Sequence, residues 1–187
     1  TPDDRTFFGN PNPKFTYGLN LSANFKNFDF AMMLYGSQGN DVFNTLSYQT
    51  GKWDSYMAAL SNDLLFDSWT PQNLNPKTPI AENASTFSTD GSVSFYKEDG
   101  SFLKCRSVIL GYTLDPSILN KLSIKKFRLY FHVTNLFTIT KYSGLDPELS
   151  SGFSTLNPTQ QSAAFGIDNA NYPNNFRNYI LGFNLSF

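Results

Sequence analysis

The sequence predicts an all-β fold of about five antiparallel strands that belong to a large transmembrane β-barrel. Five segments carry apolar side chains at every second position, as expected where alternate strand residues point to one face. Aromatic residues make up 17% of the chain and charged residues only 16%, below the roughly 25% usual in soluble domains. The connections between the segments alternate strictly between short and long, which is typical of barrels with short turns on one side of the membrane.

The last eleven residues, 177–187, show the two-residue period most clearly. One parity is apolar, whereas the other is small and polar apart from Ile180. The apolar positions are Tyr179, Leu181, Phe183, Leu185 and Phe187. At roughly 3.3 Å per residue, a strand of about eleven residues tilted by about 45° just crosses a hydrocarbon layer of about 30 Å. We therefore predict a membrane-spanning strand with one face in contact with lipid.

Four earlier segments have the same alternation and are predicted to be strands at about 15–25, 28–37, 102–114 and 124–137. The positions predicted to face lipid are Phe15, Tyr17, Leu19, Leu21, Ala23, Phe25, Phe28, Phe30, Met32, Leu34, Val108, Leu110, Tyr112, Leu114, Phe127, Leu129, Phe131 and Val133. Lys104 and Arg106 share the parity of the third apolar row. Because a cation that faces lipid at mid-depth costs about 2 to 4 kcal/mol, we expect both to lie beyond the hydrocarbon.

Two short and two long connections join these strands. The short ones are 26–27 and a compact turn at 115–123, and the long ones are about 38–101 and 138–175. Asp90-Gly91 and Asp99-Gly100 are predicted to form turns. They are not expected to belong to a calcium-binding loop, because the ordered run of oxygen ligands is missing around them. Long connections that carry no regular structure are often functional.

A short amphipathic helix is predicted at about 47–66 in the first long connection. The apolar residues Trp53, Tyr56, Met57, Leu60 and Leu64 have helical spacing there. This stripe either packs the helix on neighbouring loops or forms a direct ligand surface.

Five strands cannot close a barrel of this kind, since the smallest have eight strands. Open edges in hydrocarbon would leave backbone groups unpaired at several kcal/mol each. We therefore expect the chain to be a fragment of a longer protein, or one chain of an assembly that supplies the missing strands. The sequence has no recognisable signal peptide, which we expect to lie elsewhere in an exported parent protein.

Several classes of function are not supported by the composition. The net charge of -1 gives no basic footprint for nucleic acid, and the longest apolar run, residues 30–35, is too short for a membrane helix. Cys105 is the single cysteine and His132 the single histidine, so neither a disulfide, a Cys or His metal cluster nor a Ser-His-Asp triad is expected. Asp146 and Glu148 flank a proline and are predicted to have a turn role. No catalytic, metal or cofactor site is predicted.

Several runs of residues resemble the SusC/RagA-like TonB-dependent outer-membrane transporters of the Bacteroidetes. They include GNPNPKF at 9–15, WTP at 69–71 and the strand at 102–114, in which Lys104 and Arg106 depart slightly from the family's Leu-Arg pair. The most specific run is NLFTITKYSGLDPE at 135–148, together with Tyr172-Pro173 and the strand that ends on Phe187.

This resemblance implies that residues 1–187 are the C-terminal part of a barrel of about 22 strands, with its plug domain and TonB box outside the chain. It implies TonB-driven import of an oligosaccharide or peptide across the bacterial outer membrane, with a SusD-like lipoprotein as a lid. The long loops would then be extracellular and the C-terminus periplasmic, and the TonB contact would lie outside this chain.

Two groups of residues are candidates for functional roles. Asp29, Tyr35, Arg128, Tyr130 and His132 are predicted to face the lumen and the substrate path, although the charges could instead be solvated or paired and His132 could be a structural hydrogen-bonding residue. Tyr179, Phe183, Leu185 and Phe187 resemble the signal by which the outer-membrane insertion machinery recognises barrels, and they would face lipid in any case.

A soluble, aromatic-rich β-sandwich that binds glycans is the alternative. It would use the same alternation around a protein core instead of lipid. The mean hydropathy of -0.32 fits either fold, because a barrel with a polar lumen and polar loops also has a low average hydropathy.

Overall fold

The computed structural model describes residues 6–7, 9–50, 61–80, 94–119, 124–149, 165–168 and 176–187. Within these residues there are eight β-strands, three α-helices and a short 3-10 helix at Ser94–Tyr96. The strands are β1 (Phe15–Phe25), β2 (Phe28–Gln38), β3 (Asp41–Asn44), β4 (Lys97–Asp99), β5 (Phe102–Thr113), β6 (Lys126–Thr140), β7 (Ile167–Asp168) and β8 (Asn178–Ser186). The helices are α1 (Thr45–Thr50), α2 (Asn62–Phe66) and α3 (Pro116–Leu119). No helix among the described residues is long and apolar enough to cross a membrane.

The five long strands form one antiparallel sheet in the order β1-β2-β5-β6-β8. Each predicted strand is present within three residues of its predicted bounds, so the fold class and the five strands are confirmed. The sheet is open, and among the described strands β1 and β8 each pair on one side only. The first hairpin turns through Lys26-Asn27 as predicted, with Lys26 in the left-handed region at φ 53, a conformation that most residues adopt rarely.

The register places the apolar rows of all five strands on one face of this sheet, which we call the apolar face. Leu21 pairs with Met32, Leu110 with Phe131, and Phe131 with Leu181. These side chains are largely exposed: Leu181 is 71% exposed, Leu110 49% and Phe131 43%. A contiguous exposed apolar surface of this kind marks contact with a membrane or with another protein.

A β-bulge in β5 overturns the predicted orientation of Lys104 and Arg106. Arg106 has no register partner in β2 or β6, because the pairing steps directly from Cys105 to Ser107. An extra residue in one strand reverses the side-chain alternation beyond it. Lys104 therefore pairs with Tyr35 on the opposite face, while Cys105 continues the apolar face. Lys104 and Val108 share a sequence parity but lie on opposite faces, so the expectation that Lys104 belongs to the apolar row is wrong.

The described residues of Thr1–Asn12, Asn40–Gly100 and Tyr142–Tyr172 form a second compact unit. Its sheet has the order β4-β3-β7, with β3 antiparallel to β4 and parallel to β7. Glu98 and Asp99, which begin the predicted turn Glu98-Asp99-Gly100, thus lie in strand β4. The prediction of one helix at about 47–66 is wrong, because Ser61 has an extended backbone (φ -66, ψ 145) and caps the start of α2, so α1 and α2 are separate helices. Trp53, Tyr56, Met57 and Leu60 lie outside the described residues, as do Asp90, Gly91, Tyr172 and Pro173.

Polar contacts centred on the Glu98 carboxylate connect the two long connections inside this second unit. The Asn44 amide, 1% exposed, donates to Glu98 Oε1 at 2.7 Å. The Ser143 backbone N–H and hydroxyl also donate to the Glu98 carboxylate, each at 2.7 Å. The buried Asn44 amide therefore has a hydrogen-bond partner, as buried polar groups normally do, and these bonds join residues of both connections in one unit.

Tyr142 and Asp168 form a second buried contact of this unit. The Tyr142 hydroxyl donates to Asp168 Oδ2 at 2.5 Å, and the two residues are only 5% exposed. Burial, and next the bond to Asp168, raise the pKa of the Tyr142 hydroxyl well above its ordinary value of about 10. A raised pKa means that the folded state favours the neutral phenol. The resulting stabilisation is complete below about pH 10 and is lost as the pH rises above that value.

We predict that Tyr142 ionises only above the ordinary range of tyrosine. The measurement is the phenolate absorbance near 295 nm during an alkaline titration, taken as the difference between the unchanged protein and the Tyr142→Phe variant. The difference should develop only above about pH 10. A difference that titrates at the ordinary tyrosine pKa would contradict the buried contact with Asp168.

Candidate functional site

The side of the five-stranded sheet opposite the apolar face carries charged, hydroxyl and amide groups, and we call it the polar face. All five residues predicted to face the lumen lie on this side, by their register with neighbouring strands: Asp29, Tyr35, Arg128, Tyr130 and His132. The structure brings three of them together, while Tyr35 and His132 belong to separate clusters.

Asp29 and Arg128 form an ion pair across the polar face. Arg128 Nε donates to Asp29 Oδ1 at 2.8 Å and Nη2 to Oδ2 at 2.5 Å, so the pair is bidentate. The side chains lie on β2 and β6 and meet over Gly111 of the intervening strand β5. A Cβ at Gly111 would collide with both groups. The glycine therefore provides the space in which the fork-to-fork geometry, stronger than a single bond, can form.

Tyr130 extends this pair towards β8. The Arg128 guanidinium lies 5.2 Å from the centre of the Tyr130 ring, a distance at which a cation is attracted to the ring face. The ring in turn covers Gly182, its register partner in β8. Asp29, Arg128 and Tyr130 thus form one continuous row across four strands.

His132 lies nearer the middle of the polar face. One of its ring nitrogens, Nε2, is 2.9 Å from the Ser107 hydroxyl of β5, and the donor depends on the tautomer. This contact is what a structural hydrogen-bonding histidine would make. The groups around it are Ile109 and Ile180, its register partners, which offer no base or second ligand for catalysis.

A third cluster lies at the bulge, towards the long connections. The Arg106 guanidinium is 4.0 Å from the centre of the Tyr35 ring, and that ring is 5.8 Å from Phe102. Lys104 Nζ lies 5.8 Å from the Phe102 ring and the residue is 1% exposed. The bulge therefore places two cations among aromatic rings on the polar face. The sequence prediction missed both cations, although a charged pair on an otherwise apolar parity was a signal that the alternation breaks there.

The proposed recognition residues of β8 lie on the apolar face. Tyr179 stacks on Phe131 with ring centres 6.2 Å apart, and Phe183 stacks on Phe127 at 5.9 Å. Stacked aromatic pairs across strands stabilise an antiparallel sheet. Phe187 follows the last residue of β8 and is 74% exposed. These side chains remain accessible along the edge of the sheet.

The polar face combines charged, aromatic and hydroxyl side chains in separate clusters. Among the described residues, no group of three or more His, Cys, Asp or Glu side chains could hold a metal ion. The face offers fixed charges, tyrosine rings and hydroxyl groups at separate levels.

No family model matches the chain. The chain is 32% identical over 187 residues to the TonB-dependent receptor P3 of Formosa agariphila. The match covers 98% of this chain and 17% of that receptor. It is also 30% identical over 166 residues to the TonB-dependent receptor SusC of Bacteroides thetaiotaomicron, covering 87% of this chain and 15% of SusC.

Solved structures of the RagAB peptide importer match the fold. In its closed-closed state, the importer matches 95% of this chain with a TM-score of 0.73 and 26% identity, and in its open-open state 94% with a TM-score of 0.70. The chain is similar to part of the SusC/RagA-like TonB-dependent transporters. This chain spans only about a sixth of the length of the proteins it matches: 17% of receptor P3 and 18% of the importer chain in the closed-closed state.

These similarities favour one of the two predicted fold classes. The relatives are named receptors and importers, not enzymes, and the matching RagA segment is part of a much longer chain. The alternative of a soluble glycan-binding sandwich gains no support from them. The open five-stranded sheet is consistent with a SusC/RagA-like segment whose remaining strands lie elsewhere.

We predict that Gly111→Ala destabilises the sheet, whereas Gly18→Ala does not. Both glycines lie on the polar face, but an added Cβ at Gly18 would meet only the Leu34 carbonyl oxygen at 3.7 Å, an ordinary contact. Overpacking at Gly111 should cost about 1 to 3 kcal/mol, while Gly18→Ala should be neutral or stabilising by up to about 1 kcal/mol. The guanidinium concentration at which the folded, heat-modifiable form is lost in detergent measures the difference. Equal midpoints for the two variants would refute the packing of Asp29 and Arg128 over Gly111.

Proposed function

We propose that residues 1–187 form the C-terminal part of the β-barrel of a bacterial outer-membrane transporter that imports a nutrient in a TonB-dependent manner. The nutrient is an oligosaccharide or a peptide. The plug domain and the TonB contact would lie in parts of the parent protein outside this chain.

The observation that carries the proposal is the separation of the two faces of the five-stranded sheet. Apolar side chains such as Leu19, Leu129 and Phe183 are 48%, 42% and 64% exposed on one face, whereas ion-paired and hydrogen-bonded groups occupy the other. A water-soluble protein would have to bury the apolar face to avoid aggregation. Lipid outside and water inside satisfy both faces at once.

The relatives support the direction and the energy source of transport. Two are named TonB-dependent receptors and the RagAB structures are described as a peptide importer. For the present protein, we assign Asp29, Arg128, Tyr130, His132 and Tyr35 to the wall of the substrate path. Their contacts fix their positions, so that a passing solute meets charges and rings that need no rearrangement.

The orientation follows from the lengths of the connections. Short turns lie on the periplasmic side of outer-membrane barrels and long loops on the outside. The long connections at about 38–101 and 138–175 would therefore be extracellular, and the C-terminus periplasmic. The second compact unit, built from residues of these connections, would then take part in a vestibule that meets a SusD-like lipoprotein lid.

An uptake experiment tests the function. A strain that lacks the parent gene should lose uptake of a defined oligosaccharide or peptide mixture, and the full-length gene should restore it. Restoration should fail when TonB is removed, although the protein still reaches the outer membrane. Uptake that continues without TonB would contradict the proposal, and so would a chain that, expressed alone without detergent, folds cooperatively as a soluble monomer.

We predict that Leu21→Arg in the full-length protein sharply lowers the amount of assembled barrel. Leu21 lies near the middle of β1 on the apolar face, where an arginine facing lipid costs about 2 to 4 kcal/mol. Asn20→Arg on the polar face is the matched control and should be tolerated. The heat-modifiable form in outer-membrane fractions measures assembly, and equal damage from both variants would refute the assignment of the faces.

We also predict that deleting Phe187 lowers insertion more than it lowers transport per inserted molecule. If Tyr179, Phe183, Leu185 and Phe187 form the signal for the insertion machinery, loss of the terminal aromatic should weaken recognition but leave the substrate path intact. Surface protein and uptake are measured on the same cells, with Ser186→Ala as the control variant. An unchanged surface level would remove the recognition role.

A further inference from the structure

Three exposed aromatic residues, which we call the aromatic belt, lie at the short-turn end of the apolar face: Phe25, Phe28 and Tyr112. Phe25 and Phe28 pair with each other across the turn at Lys26-Asn27. The Phe28 ring is 4.8 Å from the Tyr112 ring of the neighbouring strand β5. Aromatic rings at the end of an apolar strand surface are typical of a membrane–water interface. The aromatic belt therefore marks the level at which lipid headgroups are expected.

Three exposed lysines lie at the same end of the sheet. Lys26 belongs to the first turn, Lys125 directly precedes β6 and Lys126 begins that strand. Lys26 Nζ lies 5.5 Å from the centre of the Phe25 ring, so this cation adjoins the aromatic belt. Because side chains alternate along a strand, Lys125 has the parity of Phe127 on the apolar face and Lys126 that of the polar face. The lysines therefore flank both faces of the sheet at its rim.

A cleft of about 600 Å³ lies between the two short turns and is lined by all three lysines. Phe28 and Leu114, both on the parity of the apolar face, also line it. Towards the polar face its wall includes Arg128 and Asp29, which are already bound to each other. Since that ion pair is neutral as a whole, the lysines give the cleft an excess of three positive charges. The cleft thus combines an apolar edge with a cationic interior.

The charges of the three lysines are not neutralised by carboxylates of the described residues. The ion pairs found there join Lys77 to Asp63, Lys97 to Asp41 and Arg128 to Asp29. Cations around one concave space raise the local potential and attract anions. Lysine ammonium groups bind phosphate as point charges, and basic pockets beside a membrane bind anionic lipid headgroups in this way.

We propose that this cleft binds the headgroup of an anionic phospholipid whose acyl chains lie along the apolar face. The inference rests on the proposed function, because it requires the apolar face to contact lipid. A soluble anion would engage the lysines but leave Phe25 and Phe28 exposed to water. A phospholipid matches both features, because its phosphate complements the lysines and its acyl chains cover the aromatic belt and the apolar rows that continue from it.

Photo-cross-linking in vesicles tests this inference. The full-length protein is reconstituted into phosphatidylcholine vesicles that contain either phosphatidylglycerol or phosphatidylethanolamine with a photoreactive group near the headgroup, and mass spectrometry locates the cross-links. We expect the anionic phosphatidylglycerol to label residues 24–28 and 125–128 severalfold more than the zwitterionic phosphatidylethanolamine. This difference should shrink when the salt concentration is raised from about 0.05 M to about 0.5 M, because salt screens exposed charges.

Three double variants separate the charge of the cleft from its folding. Lys26→Gln with Lys125→Gln should lower the labelling by phosphatidylglycerol to the level of phosphatidylethanolamine. Lys26→Arg with Lys125→Arg keeps both charges and should retain the labelling. Lys14→Gln with Lys141→Gln is the matched control, because it removes two exposed lysines at the long-connection end of the sheet, and it should leave the cleft labelling unchanged. Only the assembled, heat-modifiable form of each variant is analysed.

Four results would overturn the inference. They are equal labelling of the cleft by the two lipids, no lipid cross-link at the cleft, and an equal loss of labelling in the matched control. The fourth is loss of the labelling when inorganic phosphate replaces chloride at constant ionic strength, which would assign the cleft to a soluble anion.

The outcome is separable from that of the proposed function. Uptake that continues without TonB, with the phosphatidylglycerol cross-links intact, would refute TonB-dependent import but leave the lipid site in place. Normal TonB-dependent uptake with equal labelling by both lipids would refute the lipid site alone.

Discussion

Hydrocarbon cannot form hydrogen bonds with peptide groups, so every N–H and C=O of a membrane-spanning strand has to pair with a neighbouring strand. In this chain that constraint produces an antiparallel meander of five strands whose neighbours in space are neighbours in the series of long strands. Once the strands pair in register, the alternation of side chains along each strand separates an apolar face from a polar face. The register alone places Leu21, Leu110 and Phe131 on the apolar face. It places Asp29 and Arg128 on the polar face.

The polar face is organised by departures from regular pairing and by missing side chains. Gly111 leaves room for a bidentate ion pair between strands that are not adjacent, and Gly182 leaves room for the Tyr130 ring. The bulge at Arg106 turns two cations towards Tyr35 and Phe102, where bulges are known to redirect side chains near functional surfaces. The polar side chains of the face are consequently grouped at three levels: the Asp29–Arg128 ion pair at the short-turn end, the contact of His132 with Ser107 in the middle, and Lys104 and Arg106 at the long-connection end.

The sequence was sufficient for the five strands and their faces, because a two-residue period follows directly from strand geometry. It was not sufficient for the bulge, since whether Arg106 is skipped depends on pairing with β2 and β6. The ion pair of Asp29 and Arg128 joins residues 99 positions apart. The alternation in the sequence predicts that both lie on one face, but their meeting over Gly111 depends on the register between strands, which the sequence pattern does not reveal. The second unit escaped prediction because β3, β4 and β7 have two to four residues each, too few for a periodic signal.

The central claim is that the two faces of the sheet meet lipid and water, and nitroxide scanning of β6 tests it most directly. In the full-length protein with Cys105→Ser, single cysteines at positions 127–133 are spin-labelled after reconstitution into bilayers, and their accessibility to oxygen and to a water-soluble nickel reagent is measured. We expect oxygen maxima at Leu129 and Phe131 and nickel maxima at Arg128, Tyr130 and His132, with a period of two residues. Nickel access at both parities, or low access to both reagents at Leu129 and Phe131, would show that the apolar face does not contact lipid.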